Sequence, residues 1–334
     1  MKTAVVILNW NGRKMLERFL PSVVAHTTGD AEVIVADNGS TDDSIDFLKN
    51  HYPMLRLIQM DRNYGFAGGY NRAIAQIDAE YYVLLNDDVE VTPSWNEKVV
   101  SLMDSDPDIA IAQPKLLMFD DRNRFEYAGG AGGFIDKLGY PFCRGRLFNT
   151  LEYDEGQYAD TREVFWASGA AMFVRASVWK ELGGLDGDFF AHMEEIDFCW
   201  RTKMKGYRVI ATSDAQVYHV GGGTLPKSSP TKTLLNFRNN LAMLYKNLPQ
   251  KRLRRVIRLR FVLDWVAALS FAVQGKGAEC LAVFKAHSEF RKWKPALQAK
   301  RDAIQPREVT CIYPKSLLVQ YHLTGKKRFA QLNF

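Results

Sequence analysis

The chain has 334 residues, of which 47% are hydrophobic and 25% are charged, and this composition excludes a disordered or low-complexity protein. Its four cysteines are widely spaced and include no CxxC pair, which excludes a disulfide framework and a zinc knuckle and indicates reduced thiols. The net charge of +6 hides a division between a net −11 over residues 1–225 and a net +17 over residues 226–334. Such asymmetry indicates that the two parts contact different partners.

The first 90 residues alternate strand-like and helix-like segments. Strands are predicted at 4–8, 32–36, 55–60 and 81–86, and helices at 13–26, 44–50 and 70–77. This order predicts an α/β fold whose central sheet is Rossmann-like, mostly parallel and flanked by helices. The N-terminus runs directly into the first strand, so we expect no signal peptide and a cytoplasmic protein.

The rest of the chain is irregular at first and then helical. Residues 120–160 are predicted to be loops with short strands, and residues 163–174 a strand or a strand pair. Helices at 177–182 and 193–205 precede a last strand at 209–218, followed by a polar linker at 225–231 and two or three helices over 232–294. We therefore divide the chain into an α/β domain, residues 1–225, and a basic, mostly helical C-terminal region, residues 226–334.

Two polar segments follow the second and third predicted strands. Asp37 opens the sequence DNGSTD, which is either a simple strand-to-helix turn or a place where Asp37 accepts hydrogen bonds from a nucleotide base or ribose. The segment 63–72, NYGFAGGYNR, begins with a predicted loop at 63–69, whose glycines let the backbone approach a ligand closely or make the loop merely flexible. A position directly after a strand favours ligand contact.

An acidic motif ends the fourth predicted strand. Asn86, Asp87 and Asp88 follow the apolar run 81–85, and ligands of parallel sheets collect at the carboxyl ends of the strands. Two adjacent carboxylates are costly there unless a cation lies between them and a ligand. Hard divalent cations that also hold phosphates are the usual solution. The motif therefore predicts a metal–diphosphate site, and the alternative is a solvated turn.

Two further segments carry candidates for chemistry. Glu194, Glu195 and Asp197 stand near the start of a predicted helix, where acidic side chains suit the macrodipole. Alternatively, one of the three is a general base whose pKa is moved toward neutrality by burial. His219 precedes three glycines. A lone histidine after a strand is usually structural, but beside a predicted metal site it is a candidate ligand.

In their order and spacing, these segments resemble glycosyltransferase family 2, a large family of inverting enzymes with the GT-A fold. The resemblance covers residues 3–225, and within the family the chain looks most like bacterial rhamnosyltransferase-type enzymes that build surface polysaccharides. The matching segments are VILNWNG at 6–12, DNGSTD at 37–42, NYGFAGGYNRAI at 63–74, LLNDDV at 84–89, WASGAAMFVR at 166–175, GGLDGDFF at 183–190 and EEIDFCWR at 194–201.

The resemblance implies a role for each matching residue. Residues 86–88 occupy the DxD position, with Asp88 as the main metal-bound carboxylate and His219 at a position that can complete the metal shell. Glu195 stands where the family has its catalytic base, although many relatives have Asp there. The residues implied to bind the nucleotide sugar are Asn9, Asn11, Asp37, Asn63, Gly65, Asn71, Asn86 and Asp87.

The resemblance also implies the reaction. A divalent metal (Mg²⁺ or Mn²⁺) would assist transfer of a sugar from a nucleotide-diphosphate donor, a dTDP- or UDP-sugar, to a saccharide or polyprenyl-linked acceptor. The QxxRW motif of processive synthases is missing, which favours the addition of one or a few sugars. One alternative is a catalytically inactive nucleotide-sugar-binding or scaffold protein, which the presence of Asp88, Glu195 and His219 disfavours. The other is a nucleotidyltransferase, which is disfavoured because the segment after the first strand lacks the Gly- and Arg-rich loop and the lysine of those enzymes.

The basic C-terminal region predicts a surface for an anionic partner. Residues 248–263 carry five arginines, and residues 261–273 are almost wholly apolar except for Asp264. That apolar run has 13 residues, whereas a membrane span needs about 20. We expect peripheral contact of residues 232–294 with the cytoplasmic face of the inner membrane, or packing of these helices on the α/β domain. No nucleic-acid-binding motif is present, so no nucleic-acid partner is expected.

Overall fold

The structure, a computed structural model, describes residues 1–221 and 229–334. The domain boundary predicted at residue 225, and most of the linker predicted around it, lie outside the described residues. Within these ranges the helices are α1 (Arg13–His26), α2 (Ser44–His51), α3 (Gly65–Ile74), α4 (Trp95–Ser105), α5 (Ala176–Leu182), α6 (Glu194–Met204), α7 (Pro230–Asn247), α8 (Gln250–Val273) and α9 (Gly277–Ile304). The strands are β1 (Thr3–Asn9), β2 (Ala31–Asp37), β3 (Arg56–Gln59), β4 (Tyr81–Asn86), β5 (Val89–Val91), β6 (Ile109–Met118), β7 (Gly133–Asp136), β8 (Pro141–Cys143), β9 (Arg146–Leu147), β10 (Thr150–Leu151), β11 (Thr161–Glu163), β12 (Ala171–Arg175), β13 (Arg208–His219) and β14 (Ile312–Tyr313).

One half of the main sheet is parallel, as predicted. Strands β3, β2, β1 and β4 lie side by side in that order, with Asn9 opposite Asp37 and Leu8 opposite Asn86. Successive residues of β1 point to opposite faces of the sheet, and both faces are covered by apolar side chains. The predicted α/β fold is confirmed, and the carboxyl ends of these strands meet at one edge.

The other half of the sheet is mixed. Strand β12 runs antiparallel between β4 and β6, β13 runs parallel to β6, and β5 pairs antiparallel with β13. The segment predicted as a strand or strand pair at 163–174 forms β11 and β12, which lie in different parts of the sheet. Because β13 pairs with both β5 and β6, its last residue, His219, lies opposite Val89, directly after the acidic motif.

Helix α3 begins at Gly65, so the prediction of a loop through residue 69 is wrong. Gly65 has a φ of +72°, and a Cβ there would lie 2.5 Å from the carbonyl oxygen of Phe190. A Cβ at Gly69 would lie 2.8 Å from Leu8 Cδ1 on β1. The glycines therefore let this helix pack tightly on its neighbours, which outweighs their low helix propensity.

The C-terminal region packs against the rest of the chain. Strand β14 joins β7 at the edge of a second sheet with the order β10-β9-β8-β7-β14. The rings of Phe329 and Phe334 lie 5.4 and 5.1 Å from the ring of Phe134. The arginine-rich and apolar segments predicted at 248–273 form one continuous helix, α8. Within the residues that the structure describes, none of the helices combines the length and apolarity needed to cross a membrane.

Candidate active site

A buried side-chain pair joins the ends of β1 and β2. Asn9 Nδ2 donates to Asp37 Oδ2 at 2.9 Å and to Ser40 Oγ at 3.1 Å. The backbone amide of Ser40 donates to Asp37 Oδ1 at 2.9 Å, so both carboxylate oxygens shape the turn after β2. Asn9 Oδ1 is buried and has no hydrogen-bond partner among the described residues. This oxygen is the polar atom of the pair that is available to a ligand.

The other predicted asparagines hold loops in place. Asn11 Oδ1 accepts a hydrogen bond of 2.7 Å from a backbone amide of the turn after β2. Asn63 Oδ1 accepts one of 2.7 Å from the amide of Gly65, at the start of α3. Asn71 donates to the carbonyl of Leu185 at 2.7 Å and accepts from its amide at 3.0 Å. The structure therefore does not bring the Asn71 amide to the strand edge, because the backbone of Leu185 occupies it.

Asp88 and His219 meet at the carboxyl ends of β4 and β13. His219 Nε2 lies 3.0 Å from Asp88 Oδ1 and 3.3 Å from Asn86 Nδ2. On its other side, His219 Nδ1 lies 3.3 Å from Glu126 Oε1, an ion-pair distance whose angles make no hydrogen bond. Asp88, His219 and Glu126 are each at most 5% exposed. The sequence did not single out Glu126, which stands in a segment predicted to be loops.

The charges of this cluster are set by burial and by mutual contact. Burial alone would lower the pKa of His219, but the carboxylates of Asp88 and Glu126 raise it well above its usual value. Burial would raise the pKa of Asp88, but the charge and hydrogen bond of His219 lower it. Burial, and then the neighbouring Asp88, raise the pKa of Asp87 to about 8. Asp88 is therefore the more acidic carboxyl of the two, whereas burial favours the neutral form of Asp87.

The donor atoms at the ends of β4 and β13 suit a divalent cation. Among residues 1–221 and 229–334, no cluster of three or more His, Cys, Asp or Glu side chains has the geometry of a metal site. Asp88 and His219 nevertheless bring a carboxylate oxygen and an imidazole nitrogen within 3.0 Å of each other, and a cation bound there would replace the proton that His219 holds in this ion pair. Mg²⁺-type cations are commonly held by one or two protein groups together with substrate phosphates. The carboxylate of Glu126 lies 3.3 Å from His219 Nδ1, where a small rotation would make it the hydrogen-bonded partner that orients a metal-bound histidine.

A short chain of contacts links helix α6 to the acidic motif. Glu195 and Cys199 are one helical turn apart and share this face. Cys199 Sγ accepts a hydrogen bond of 3.4 Å from the backbone amide of Ala167. Three residues further on, the carbonyl of Ala170 accepts one of 3.1 Å from the amide of Asn86. A short chain of contacts thus connects the face that carries Glu195 to the first residue of the DxD position.

Burial raises the pKa of Glu195 to about 7, against the opposing effect of backbone amides at the start of α6. Its Oε2 atom is buried and has no hydrogen-bond partner among the described residues. Glu194 has a different neighbourhood, because it shares a face with Phe198, whose ring packs 5.2 Å from that of Trp179. Glu194 Oε2 is likewise buried without a hydrogen-bond partner among the described residues, so the two glutamates differ in the helix face that they occupy.

Asp197 is occupied by an ion-pair network. It accepts hydrogen bonds from Arg201 Nε at 2.9 Å and from Asn247 Nδ2 at 2.7 Å, and Lys246 Nζ lies 2.9 Å from its Oδ1. Asp197 is fully buried. Its oxygens are committed to α7, so this carboxylate links helices and is not free to accept a proton from a substrate.

Helix α7 also holds the loop that leads into α6. Asn239 is fully buried, and its Nδ2 lies 2.9 Å from the carbonyl oxygens of Phe189, Ala191 and His192. This loop contains three non-glycine residues with positive φ: Phe190 at 64°, His192 at 71° and Met193 at 75°. Sequence reasoning missed Asn239, whose partners lie 47–50 residues away, so no local pattern marks it.

The comparison with known proteins agrees with this geometry. Residues 4–183 match Glycosyl transferase family 2. The chain is 29% identical over 231 residues to the N-acetylglucosaminyl-diphospho-decaprenol L-rhamnosyltransferase of Mycobacterium tuberculosis, covering 64% of this chain and 75% of that protein. It is 25% identical over 225 residues to the O-antigen biosynthesis protein RfbC of Myxococcus xanthus, covering 65% of this chain and 17% of that protein.

Solved structures share the fold at low sequence identity. GalNAc-T7 with UDP, GalNAc and Mn²⁺ superposes with a TM-score of 0.58 at 15% identity, covering 75% of this chain and 48% of that chain. S. aureus TarS 1-349 in complex with UDP-GlcNAc gives a TM-score of 0.57 at 15% identity, covering 91% and 86%. Both are GT-A glycosyltransferases. The chain therefore belongs to glycosyl transferase family 2 and is a glycosyltransferase with the GT-A fold.

Proposed function

We propose that this chain is an inverting glycosyltransferase of cell-surface polysaccharide synthesis. It moves one sugar from a dTDP- or UDP-sugar to a saccharide or polyprenyl-linked saccharide acceptor. The names of the relatives support this, since one acts on a decaprenol-linked acceptor and another belongs to O-antigen biosynthesis. The observation that carries the proposal is the buried, unpaired carboxyl oxygen of Glu195, whose pKa burial raises to about 7, on the face of α6 that it shares with Cys199.

Glu195 is the general base of this reaction. Its carboxylate takes the proton of the acceptor hydroxyl while that oxygen bonds to the anomeric carbon, opposite the nucleotide. The bond from the anomeric carbon to the diphosphate oxygen breaks, and the nucleoside diphosphate leaves with the electron pair. One displacement inverts the anomeric configuration. A pKa near the working pH suits this proton transfer, which typically contributes about 10²–10⁴-fold.

Asp88 and His219 are the proposed ligands of Mg²⁺ or Mn²⁺. When bound, the cation would neutralise charge that develops on the leaving diphosphate. Asn86 lacks the charge of an aspartate and is proposed to hydrogen-bond the ribose. Asn9 contacts the nucleotide through its unpaired Oδ1. The remaining residues of the proposed donor site either contact the nucleotide or hold the turns that surround it. They are Asn11, Asp37, Asn63, Gly65, Asn71 and Asp87.

A polyprenyl-linked acceptor lies in a membrane, so the enzyme must reach a membrane surface. We include in the proposal a peripheral contact of residues 232–294 with the cytoplasmic face of the inner membrane. The net charge of +17 over residues 226–334 supports this contact, because the headgroups of that leaflet include anionic lipids.

Substitution of the two neighbouring glutamates tests the assignment of the base. Glu195→Gln keeps the size of the side chain and removes the proton acceptor, so turnover should fall by about 10²-fold or more while donor binding persists. Glu194→Gln is the matched control, because Glu194 shares a face with Phe198 and not with Cys199. We expect this control to retain turnover within about tenfold of the parent. Equal losses of turnover in both variants, or near-normal transfer by Glu195→Gln, would contradict the assignment of Glu195 as the general base.

A donor screen tests the substrate class. The melting temperature is measured with a series of dTDP- and UDP-sugars, with and without Mn²⁺, because a bound ligand stabilises the folded state. The best donor is then assayed for transfer and for hydrolysis. Asp88→Ala should abolish the Mn²⁺-dependent part of donor binding measured by calorimetry. Donor binding without transfer or hydrolysis would favour an inactive binding protein instead.

A further inference from the structure

Helices α8 and α9 form a hairpin whose tip is unusually apolar on its outer surface. Eight of the 17 large hydrophobic side chains that are exposed in the described residues lie within residues 259–284. The most exposed are Val273 at 81%, Leu281 at 71% and Leu269 at 65%. We call the following set the apolar tip: Leu259, Val262, Trp265, Val266, Leu269, Val273, Leu281 and Phe284.

The part of the apolar tip on α8 is one continuous helix face and not a scatter of single side chains. Val262, Val266, Leu269 and Val273 recur at intervals of three and four residues, which puts them along one side of α8. In a water-soluble helix, a side of this kind normally packs on a core. Here that side is exposed, and contiguous exposed apolar patches mark interaction surfaces.

The opposite side of α8 is buried and combines apolar residues with a polar network. Arg260 and Asp264 are 3% and 1% exposed, and Asp264 Oδ2 pairs with His287 Nε2 on α9 at 3.1 Å. Arg260 also donates to the carbonyl of Leu138 at 3.0 Å. This network fixes the rotation of the helix, so the apolar side cannot turn inward without breaking buried ion pairs. Since the buried side already packs on the core, the apolar side chains on the outer surface form a second apolar face, which is unfavourable in water.

Basic side chains border the apolar tip on both helices. Arg254, Arg255 and Arg258 precede it on α8, and Lys285, Arg291 and Lys292 follow it on α9. All six are exposed, and we call them the basic collar. Acidic groups near the hairpin have partners of their own: Asp264 with Arg260 and His287, Glu289 with Arg238, and Glu308 with Lys251 and Arg252. Glu279, in the first turn of α9, is also engaged in an interaction.

We propose that the apolar tip enters the headgroup region of an anionic lipid leaflet while the basic collar binds the lipid phosphates. Interfacial helices bury their apolar face to a depth of about 5–10 Å, and charged headgroups attract flanking Lys and Arg side chains. A second copy of the chain is the less suitable occupant, because it would bring one basic collar toward another. This inference refines the membrane contact of the proposed function but does not depend on the transfer reaction.

Vesicle sedimentation with the full chain tests the surface. The chain should bind vesicles of phosphatidylcholine mixed with phosphatidylglycerol, bind phosphatidylcholine alone much less, and be released by salt. The double variant Leu269→Asp/Val273→Asp and the double variant Arg255→Gln/Arg258→Gln should each lower the vesicle partition coefficient by about tenfold or more. Met54→Asp is the matched control, because Met54 is 94% exposed but lies outside the hairpin.

A second measurement follows the tip directly. Trp265 is 47% exposed within the apolar tip, so brominated lipids should quench its fluorescence, and Trp265→Phe should remove most of that quenching. Absence of binding to the anionic vesicles would overturn the inference. Equal effects of Met54→Asp and of Leu269→Asp/Val273→Asp would also overturn it. The inference would likewise be overturned if the parent chain self-associates without binding vesicles and Leu269→Asp/Val273→Asp abolishes that self-association. Transfer to a water-soluble acceptor is assayed separately, so failure of catalysis and failure of docking are distinguishable.

Discussion

Protonation of the Glu195 carboxyl group should make the enzyme lose activity as the pH falls. Burial raises its pKa to about 7, and a general base acts only when it is ionised. Turnover should therefore fall as the pH decreases through about 7 and level off above it. The measurement is kcat/KM for the acceptor between about pH 5 and about pH 9 at saturating donor. A midpoint near 4.5, the usual value of a glutamate, would contradict a buried base.

Glu126 should strengthen metal-dependent donor binding through His219. Its Oε1 lies 3.3 Å from His219 Nδ1, and loss of such a partner typically costs about 10–100-fold in metal affinity. We expect Glu126→Gln to weaken Mn²⁺-dependent donor binding by this factor in calorimetry. Glu152→Gln is the control, because Glu152 is also buried but pairs with Tyr158 and not with His219. Unchanged Mn²⁺ dependence in Glu126→Gln would contradict the role.

Individual residues of the site differ in how far the sequence reveals them. Asp88 and His219 follow recognisable strands, and the ends of paired strands meet at one edge of the sheet, so their proximity could be expected. Glu126 follows no strand. Its amide donates to the carbonyl of Leu116, so its place depends on the register between β6 and β13, which no local pattern encodes.

The element that most directly determines the position of Glu195 is the loop between the turn at Gly187–Phe189 and α6. Its positive φ values at Phe190, His192 and Met193 are costly for non-glycine residues and persist only when the surroundings enforce them. Asn239 on α7 does so from one side, and the amide of Phe66 on α3 donates to the carbonyl of Phe190 at 2.7 Å from the other. Helices α3 and α7 therefore hold the backbone that leads into α6 from two sides through these hydrogen bonds.

Asn239→Ala should disturb catalysis by releasing this loop. The variant removes a side chain that bonds three backbone carbonyls, so water should reach Glu195 and lower its pKa toward the usual value. We expect turnover to fall about tenfold or more and the pH midpoint to move below 7. Asn96→Ala is the matched control, since Asn96 is also buried and bonds only to Thr28. A purely structural role would lower stability in both variants and leave the midpoint unchanged.

Element boundaries were predictable where periodicity decides them and not where packing does. The apolar spacing of residues 13–26 gives α1 with its observed bounds. The glycines at 65, 68 and 69 instead suggest a loop, and only the close approach of Phe190 and Leu8 explains why a helix forms there. Packing partners so distant in the chain leave no local pattern, so the start of α3 could not be read from the sequence.

At the scale of the whole molecule, the two oppositely charged parts of the chain contact each other. Lys246 on α7 reaches Asp197 on α6 and also pairs with Asp186. Lys300 on α9 pairs with Asp186 and, at 2.7 Å, with Asp188. The opposite net charges of residues 1–225 and 226–334 are therefore partly matched within the molecule. The sequence indicated the charge division but could not show that one of the partners is the chain itself.

Apolar packing joins the same two parts, and this predicts one cooperative unfolding transition. Phe329 is 3% exposed, its ring lies 5.4 Å from that of Phe134, and its amide donates to Glu152 Oε1 at 2.9 Å. Phe329→Ala should lower the free energy of unfolding by about 3–5 kcal/mol, the usual cost of truncating a buried phenylalanine. Because residues from both parts share this core, the whole transition should shift.

Urea unfolding followed by circular dichroism and by tryptophan fluorescence checks the prediction, since a single transition gives the same midpoint with both probes. Leu323→Ala is the control, because Leu323 is 79% exposed and its truncation should change the free energy of unfolding by no more than about 0.5 kcal/mol. Two separate transitions, only one of which moves in Phe329→Ala, would mean that residues 1–225 and 226–334 unfold independently. A single shifted transition would mean that the C-terminal residues around Phe329 stabilise the same fold that holds Glu195.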